Sequence, residues 1–146
     1  MRHYGYACIN MGFSTRPKSE RITTNRTMIR RTFDDKGISY ASELILSNVQ
    51  DLYKILEWNL AHDIYFYRLS SNMFPWASEY NMQDLPDYDL ILAACQRAGD
   101  FARQHNMRLT SHPGPFNKLA SPKERVFQLT KTDLTVHADM FDMIGL

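Results

Sequence analysis

The chain has 146 residues and a formal net charge of +1, from 17 Lys and Arg against 16 Asp and Glu. This length is typical of one domain, and the near-neutral charge excludes a uniformly basic nucleic-acid coat. No apolar run reaches the roughly 18–20 residues of a membrane span, and the N-terminus lacks the apolar stretch of a secretory signal. We therefore expect a single domain over residues 1–146 that lies in the cytoplasm or nucleoid and does not contact membranes.

Three short β-rich runs alternate with three helical patterns along the chain. The runs cover residues 4–9, 64–69 and 107–111. After each run, apolar residues recur at spacings of three and four, as on one face of a helix. Since parallel strands need a helical crossover, this order predicts an α/β fold with a parallel sheet. The predicted helix faces are Ile45, Val49, Leu52, Leu56 and Leu60, then Leu90, Ala94, Ala98 and Phe101, then Val126, Leu129, Leu134, Phe141 and Ile144.

The ends of the last helix are predicted from its capping residues. Ser121, Pro122 and Glu124 have the spacing of a capping box, with the Ser hydroxyl as N-cap and Pro at the first helical position. Gly145 is a suitable C-terminal stop. The loop after the first run is expected to be long, from Asn10 to about Ala41.

This first loop is strongly basic. Residues 16–31 contain six cations and one anion, in a chain whose overall charge is +1. Arginine matches phosphate oxygens in bidentate fashion, so the loop suits a nucleic-acid backbone, although a solvated charged surface explains the same composition. Thr24 and Asn25 add neutral donors beside Arg26, and this mixture favours binding to phosphates. Arg30 continues the basic stretch.

The loops after the second and third runs contain aromatic side chains and one notable histidine. Phe74 and Trp76 are expected to pack in the core or a lid rather than stack on bases. His112 follows the third strand directly, where a His is a candidate metal ligand or acid–base group, although a structural His fits the pattern as well. The stiff turn through Pro115 would push Phe116 outwards, where an exposed aromatic can wedge into a base stack.

The other histidines have no such position. They are predicted to be surface or helix-end residues: His3, His62, His105 and His137.

Six motifs occur in the order and spacing of a known family. They are residues 5–10 (GYACIN), 24–27 (TNRT), 52–59 (LYKILEWN), 66–71 (FYRLSS), 74–78 (FPWAS) and 112–114 (HPG) followed by 119–122 (LASP). With these motifs along essentially its whole length, the chain resembles the UV damage endonucleases.

The resemblance implies a TIM-barrel fold of the xylose-isomerase-like type. The chain has only about three β/α units, where a whole barrel has eight, so a partial barrel is expected, namely the N-terminal portion. The sequence stops where a fourth strand would start. We therefore expect a truncated or split gene product, which would pair with a separate C-terminal half or self-associate through its open sheet.

The resemblance also implies an activity, in which UV-damaged double-stranded DNA is nicked on the 5′ side of photoproducts by divalent-metal-assisted hydrolysis. His112 would be a catalytic metal ligand, with Asn72 as a second ligand. The expected metal is manganese, in a cluster of which this chain supplies only part. Tyr6, Asn10 and the segment 24–27 would face the DNA, and Pro115 with Phe116 would form the tip that probes the duplex. The alternative is a remnant or split-enzyme subunit that binds damaged DNA without cutting it alone.

Overall fold

The computed structural model describes residues 4–146. Its sheet has three parallel strands, β1 (Gly5–Ala7), β2 (Phe66–Arg68) and β3 (Arg108–Thr110), in the order β1-β2-β3. Tyr6 pairs with Tyr67, and Tyr67 pairs with Leu109. All three strands lie inside the predicted runs, so the α/β class and the parallel sheet are confirmed.

The chain forms four α-helices between and after the strands: α1 (Met11–Ser14), α2 (Arg30–Ala61), α3 (Tyr88–Gln104) and α4 (Glu124–Ile144). Helix α2 connects β1 to β2, and α3 connects β2 to β3, so both are the crossovers that a parallel sheet requires. Short 3₁₀ turns lie at Lys18–Glu20, Ala77–Glu79 and Met82–Asp84. In the described part of the chain, no helix is both long and apolar enough to cross a membrane.

The core lies between the sheet and the helices. Tyr67 and Leu109 are buried on the helix-facing side of the strands, against the predicted apolar face of α2. The predicted face of α3 was wrong by one position at its start, since Leu90 is 59% exposed and Ile91 is fully buried. The buried residues of α3 are Ile91, Cys95, Ala98, Gly99 and Ala102.

Small residues explain this rotation of α3, because they let α4 approach closely. A Cβ atom built on Gly99 would lie 1.7 Å from the carbonyl oxygen of Ile144, so only glycine fits at this crossing. The face of α4 was also partly wrong, since Leu129 is exposed while Thr130 and His137 are buried.

The predicted end of the first loop was wrong, because helical structure begins at Arg30 rather than near Ala41. An ion pair between Arg30 and Asp34 (2.8 Å), four residues apart, supports this first turn. Gly37 interrupts the helix with a φ of 66°. The sequence after Gly37 forms the regular helix that the apolar spacing predicts.

The capping box at the start of α4 does not form. Helix α4 begins at Glu124, and its N-cap residue Lys123 makes no side-chain capping bond. The Ser121 hydroxyl instead accepts the N–H of Lys123 (3.2 Å), which makes a local turn ahead of the helix. The predicted stop is confirmed, since Gly145 has a left-handed backbone (φ 77°) and donates its N–H to the Phe141 carbonyl (2.8 Å).

Candidate nucleic-acid interface at the carboxyl edge of the sheet

The three parallel strands end at one edge of the sheet, so the loops that follow them meet there. These loops are residues 8–29, 69–87 and 111–123. Cys8 begins the first loop with a left-handed backbone (φ 61°). Its carbonyl oxygen accepts hydrogen bonds from the Tyr67 hydroxyl (2.9 Å) and the Asn25 amide (3.3 Å), which hold this uncommon conformation in place.

Tyr6 and Asn10, two of the predicted DNA-facing residues, are bonded to each other. The Tyr6 hydroxyl donates to Asn59 Oδ1 (2.6 Å) and accepts from Asn10 Nδ2 (2.8 Å). Asn10 is buried, and its Oδ1 accepts the N–H of Gly12 (2.9 Å) as the N-cap of α1. Burial raises the pKa of Tyr6 above its ordinary value, although its side-chain hydrogen bonds oppose the shift. The hydroxyl therefore stays neutral at physiological pH.

Thr24 and Asn25 tie the first loop to the strand ends. Thr24 is fully buried, and its hydroxyl lies 3.4 Å from that of Tyr67. The Asn25 Oδ1 accepts from the Ser70 hydroxyl, just beyond β2. These two residues, which were predicted to contact DNA, therefore fix the path of the loop. Asn25 is partly exposed, whereas Thr24 is not.

Arg26 is held against α2 rather than free in solvent. Its guanidinium forms an ion pair with the buried Asp51 (2.7 Å) and donates to the Thr23 carbonyl (2.6 Å). The Arg26 backbone N–H donates to Asn48 Oδ1 (3.0 Å), while Asn48 Nδ2 donates back to the Arg26 carbonyl (3.0 Å) and to the Met73 carbonyl (3.1 Å). One asparagine thus joins the first loop to the second.

Arg30 is more accessible, with a side chain that is 54% exposed. It pairs with Asp34 and with Glu79 (3.2 Å) and lies 5.4 Å from the centroid of the Trp76 ring. Trp76 stacks on Phe33 and donates its Nε1–H to the Met28 carbonyl (3.1 Å). Trp76 is thus a packing residue, as predicted.

Several other cations of the first loop and of the first turn of α2 lie on the surface. Arg16 lies over the Phe13 ring, 4.9 Å from its centroid, and Arg21 donates to the Arg16 carbonyl (3.1 Å). Lys18 and Arg31 are exposed and form no ion pair with any residue from 4 to 146. The positive charge of the loop is therefore only partly neutralised.

The loop after β3 projects into solvent. His112 and Pro115 are exposed, and the Phe116 side chain is 86% exposed. Behind the tip, Asn117 Nδ2 donates to the carboxylate of Asp133 on α4, and the Lys118 N–H donates to the Thr130 hydroxyl (2.9 Å). The base of the loop is thus fixed while its tip is free.

His137 was predicted to be a surface or helix-end residue, and this was wrong because it is only 7% exposed. Burial lowers its pKa below the ordinary value, and the nearby His112 lowers it further against the opposing effect of Asp133. It lines a cavity of about 300 Å³ together with Asn72 of the second loop. His62 and His105 do cap helix ends, whereas His3 lies outside the described residues.

Comparison with known proteins identifies the family. The model of the family described as UV-endonuclease UvdE matches residues 2–146. This chain belongs to the UvdE family. It is 35% identical to a UV-damage endonuclease of Schizosaccharomyces pombe over 97% of its length, and 33% identical to a UV DNA damage endonuclease of Bacillus cereus (strain ATCC 10987) over 88%.

The crystal structure of SacUVDE superposes on the whole chain with a TM-score of 0.84 at 28% sequence identity, which confirms the partial TIM barrel. The chain covers 47% of the SacUVDE chain, 23% of the S. pombe protein and 39% of the B. cereus protein. It therefore spans less than half the length of these relatives.

The described residues do not form a metal centre by themselves. Among residues 4–146, no three His, Cys, Asp or Glu side chains are grouped so that they could hold a metal ion. His112 and Asn72 are exposed at the carboxyl edge, and the Asn72 N–H donates to the Ser70 hydroxyl (3.2 Å). Since a divalent ion takes about four to six donors, these two side chains are an incomplete set.

Four residues that hold this UvdE-family site together were not among the predicted site residues: Asn48, Asp51, Asn59 and Ser70. Three of them, Asn48, Asp51 and Asn59, are buried on α2 among its apolar residues. A polar residue on a buried helix face needs an internal partner, and this pattern was the signal that could have identified them.

Proposed function

We propose that this chain supplies the N-terminal part of a DNA-repair endonuclease that nicks the phosphodiester 5′ to UV photoproducts. The observation that carries the proposal is the loop after β3, where Phe116 projects into solvent beyond an exposed His112, in a chain of the UvdE family. Aromatic residues are enriched at the binding surfaces of proteins, and Phe116 lies at the tip of a loop whose base is fixed. The substrate is UV-damaged double-stranded DNA.

Pro115 and Phe116 are the tip that enters the duplex at the lesion. An apolar wedge between base steps unstacks them and kinks the DNA, and the proline limits the movement of the tip. The hydrogen bonds of Asn117 and Lys118 to α4 fix the base of the loop. Insertion of the tip into DNA therefore costs less conformational entropy than insertion of a flexible loop would.

The first loop and the first turn of α2 bind the DNA backbone through their accessible cations. Arg30 is the main phosphate contact, because its pairs with Asp34 and Glu79 are exposed and each contributes only about 0–1 kcal/mol. A phosphate can therefore replace them. Lys18 and Arg31 are exposed and add positive charge, since neither forms an ion pair with a carboxylate of residues 4–146.

The other residues predicted to contact DNA fall into two groups, which differ in how far they are buried. Tyr6 and Asn25 are partly exposed and border the lesion. Asn10 and Thr24 are buried, and Arg26 is paired with Asp51, so we assign these three to shaping the loop that the DNA contacts.

His112 and Asn72 contribute to a divalent metal centre, with manganese as the metal. The other donors come from outside residues 4–146, since these residues supply no group of three ligands. The bound metal supports hydrolysis of the phosphodiester. His112→Ala is expected to abolish nicking by the completed enzyme and to leave DNA affinity unchanged; equal nicking by variant and wild type would remove His112 from the metal centre.

A second candidate function is binding to damaged DNA without cutting. The observation that favours it is the same incomplete donor set, next to an intact basic loop and an intact tip. The two candidates differ in their requirement for manganese, because a protein that only binds DNA has no step that needs the metal.

The binding step is tested by fluorescence anisotropy with a labelled duplex that carries one thymine dimer, and with the same duplex undamaged. The chain is expected to bind the damaged duplex more tightly by about tenfold or more, since unstacking a lesion costs less than unstacking intact base pairs. Equal affinity for the two duplexes would contradict the proposed role in recognising damage.

The role of the first loop is tested by the salt dependence of the same binding. Arg30→Ala is expected to weaken binding to both duplexes and to reduce the slope of log K against log salt by about one. Arg97→Ala is the matched control, because Arg97 lies on α3 over the Tyr53 ring. An unchanged slope for Arg30→Ala would make the loop an ordinary solvated surface.

A further inference from the structure

The two faces of the sheet differ in their side chains. One face packs on the helices through Tyr6, Tyr67 and Leu109, of which Tyr6 reaches Asn59 of α2 and the other two lie in the core. Because successive strand residues point to opposite faces, the neighbours of these three residues lie on the other face. We call this the inner face, and it consists of Gly5, Ala7, Phe66, Arg68, Arg108 and Thr110.

The inner face contains two arginines and no carboxylate. Arg68 Nε is buried without a hydrogen-bond partner, and its guanidinium forms no ion pair with residues 4–146. Arg108 lies over the Phe66 ring, 5.8 Å from its centroid, and likewise forms no ion pair with the described residues. Arg68 as a whole is half-buried and Arg108 is exposed. Because a polar atom is costly to bury without a partner, Arg68 and the neighbouring Arg108 are placed for a partner that residues 4–146 do not provide.

We infer that the inner face binds further parallel β-strands whose inward side chains bring carboxylates to Arg68 and Arg108. The occupant is the C-terminal part of a UvdE-family barrel, whether it lies on the same polypeptide or on another. The inference rests on the proposed completion of the enzyme. It is supported by the superposition on 47% of the SacUVDE chain, because the other part of such a barrel faces the same interior.

The same charges disfavour closure by a second copy of this chain. A second inner face would bring its own Arg68 and Arg108 and no carboxylate, so that like charges would meet in a low-dielectric interior. Arg–carboxylate pairs are strong and directional in such an interior, and two Asp or Glu side chains satisfy the unpaired donors. The partner is therefore a different polypeptide segment with an acidic interior.

The test is co-expression of this chain with the part of the B. cereus (strain ATCC 10987) relative that follows the matched region. Wild type is expected to form a one-to-one complex, and Arg68→Glu and Arg108→Glu are each expected to weaken it at least tenfold. Arg125→Glu is the matched control, since Arg125 is an exposed cation of α4 and does not lie on the inner face, and it is expected to leave the affinity unchanged. No complex with wild type, or equal affinity for all three variants, would overturn the inference.

A second variant separates lost pairing from misfolding. Arg68→Met keeps the apolar stem and removes the charge, so it is expected to raise the Tm of the isolated chain while it weakens the complex. A lower Tm of the isolated chain would mean that Arg68 is already satisfied within residues 4–146, which overturns the inference.

Two further outcomes distinguish this inference from its alternatives. If the Arg68 and Arg108 variants lose affinity for duplex DNA and keep the complex, the arginines bind phosphate and the inference fails. If the complex depends on both arginines but does not nick irradiated DNA, the inference holds and the proposed function fails.

Discussion

The loop after β1 and the loop after β3 lie at the same edge of the sheet but use their side chains in opposite ways. In the first loop, Thr24, Asn25 and Arg26 bind internal partners on the strand ends and on α2. In the third loop, Pro115 and Phe116 project into solvent, and only residues behind them are bonded to α4. One loop is a scaffold with a charged surface, and the other is an exposed tip on a fixed base, which we propose probes the DNA.

This difference shows that a motif shared with DNA-repair enzymes does not assign one role to all of its residues. A polar residue with a buried partner contributes mainly to the shape of the site, since removing it leaves that partner unsatisfied. An exposed aromatic side chain contributes little to folding and is stabilised by burial of its apolar area only when a ligand covers it. Substitutions in the two loops should therefore separate stability from DNA binding.

The largest expected effect is on stability, from Asp51→Ala in the scaffold of the first loop. The buried Asp51 pairs with Arg26 and Lys54 and accepts the Thr23 N–H (3.1 Å), so its loss removes two ion pairs and the hydrogen bond that joins the first loop to α2. The free energy of unfolding, measured with urea, is expected to fall by about 3 kcal/mol. Asp34→Ala, in an exposed pair, is expected to cost less than about 0.5 kcal/mol. Similar losses for both variants would contradict the scaffold role.

Phe116→Ala, at the tip of the third loop, should lower DNA affinity and leave stability almost unchanged. We expect affinity for the dimer-containing duplex to fall by about tenfold, since stacking on an aromatic ring contributes ~1–3 kcal/mol. The free energy of unfolding should change by less than about 0.5 kcal/mol, because the side chain is exposed. Leu129→Ala, at another exposed apolar position, serves as control and should alter neither quantity. Unchanged DNA affinity in Phe116→Ala would show that the tip is not a probe.

Tyr6→Phe tests the hydrogen bonds at the end of β1. The substitution removes a donor to Asn59 and an acceptor for Asn10, and we expect a loss of about 1 kcal/mol in urea unfolding. Tyr4→Phe is the comparison, since Tyr4 is exposed, and it should leave stability unchanged. A Tyr6→Phe protein as stable as wild type would mean that Tyr6 is free to act mainly on the DNA.

The smallest effect is expected at the base of the third loop, from Ser121→Ala. Because Ser121 makes a local turn and is not the N-cap of α4, thermal unfolding should shift by the equivalent of less than about 0.5 kcal/mol. Thr130→Val should cost about 1 kcal/mol, since its buried hydroxyl accepts the Lys118 N–H. The reverse order of these two costs would restore Ser121 as a cap.

Much of the fold could be predicted from the sequence, because strands and apolar helix faces are local patterns. The three strands lie within their predicted runs, and the face of α2 is correct at Ile45, Val49, Leu52 and Leu56. The start of α4 and the face of α3 could not be predicted in this way. Both depend on packing between distant residues, such as the close contact between Gly99 and Ile144.

The location of the candidate site could be predicted from the sequence, but the roles of its individual residues could be predicted only in part. Strand order places the loops at one edge, and the stiff turn before Phe116 explains its exposure. The partners of Arg26 and Tyr6, by contrast, come from α2 and are between 22 and 53 residues away along the chain. The spacing of apolar residues shows only which residues share one face of a helix or strand, so it cannot identify pairs that are distant along the chain.

Our central proposal is that this chain is the DNA-binding part of a UV damage endonuclease, and nicking of supercoiled plasmid tests it most directly. The assay compares UV-irradiated with unirradiated plasmid, with manganese or with chelator, for the chain alone and for its complex with the C-terminal part of the B. cereus relative. We expect manganese-dependent nicking of irradiated plasmid by the complex and none by the chain alone. Equal nicking of both plasmids, or no nicking by a complex that has formed, would contradict the claim.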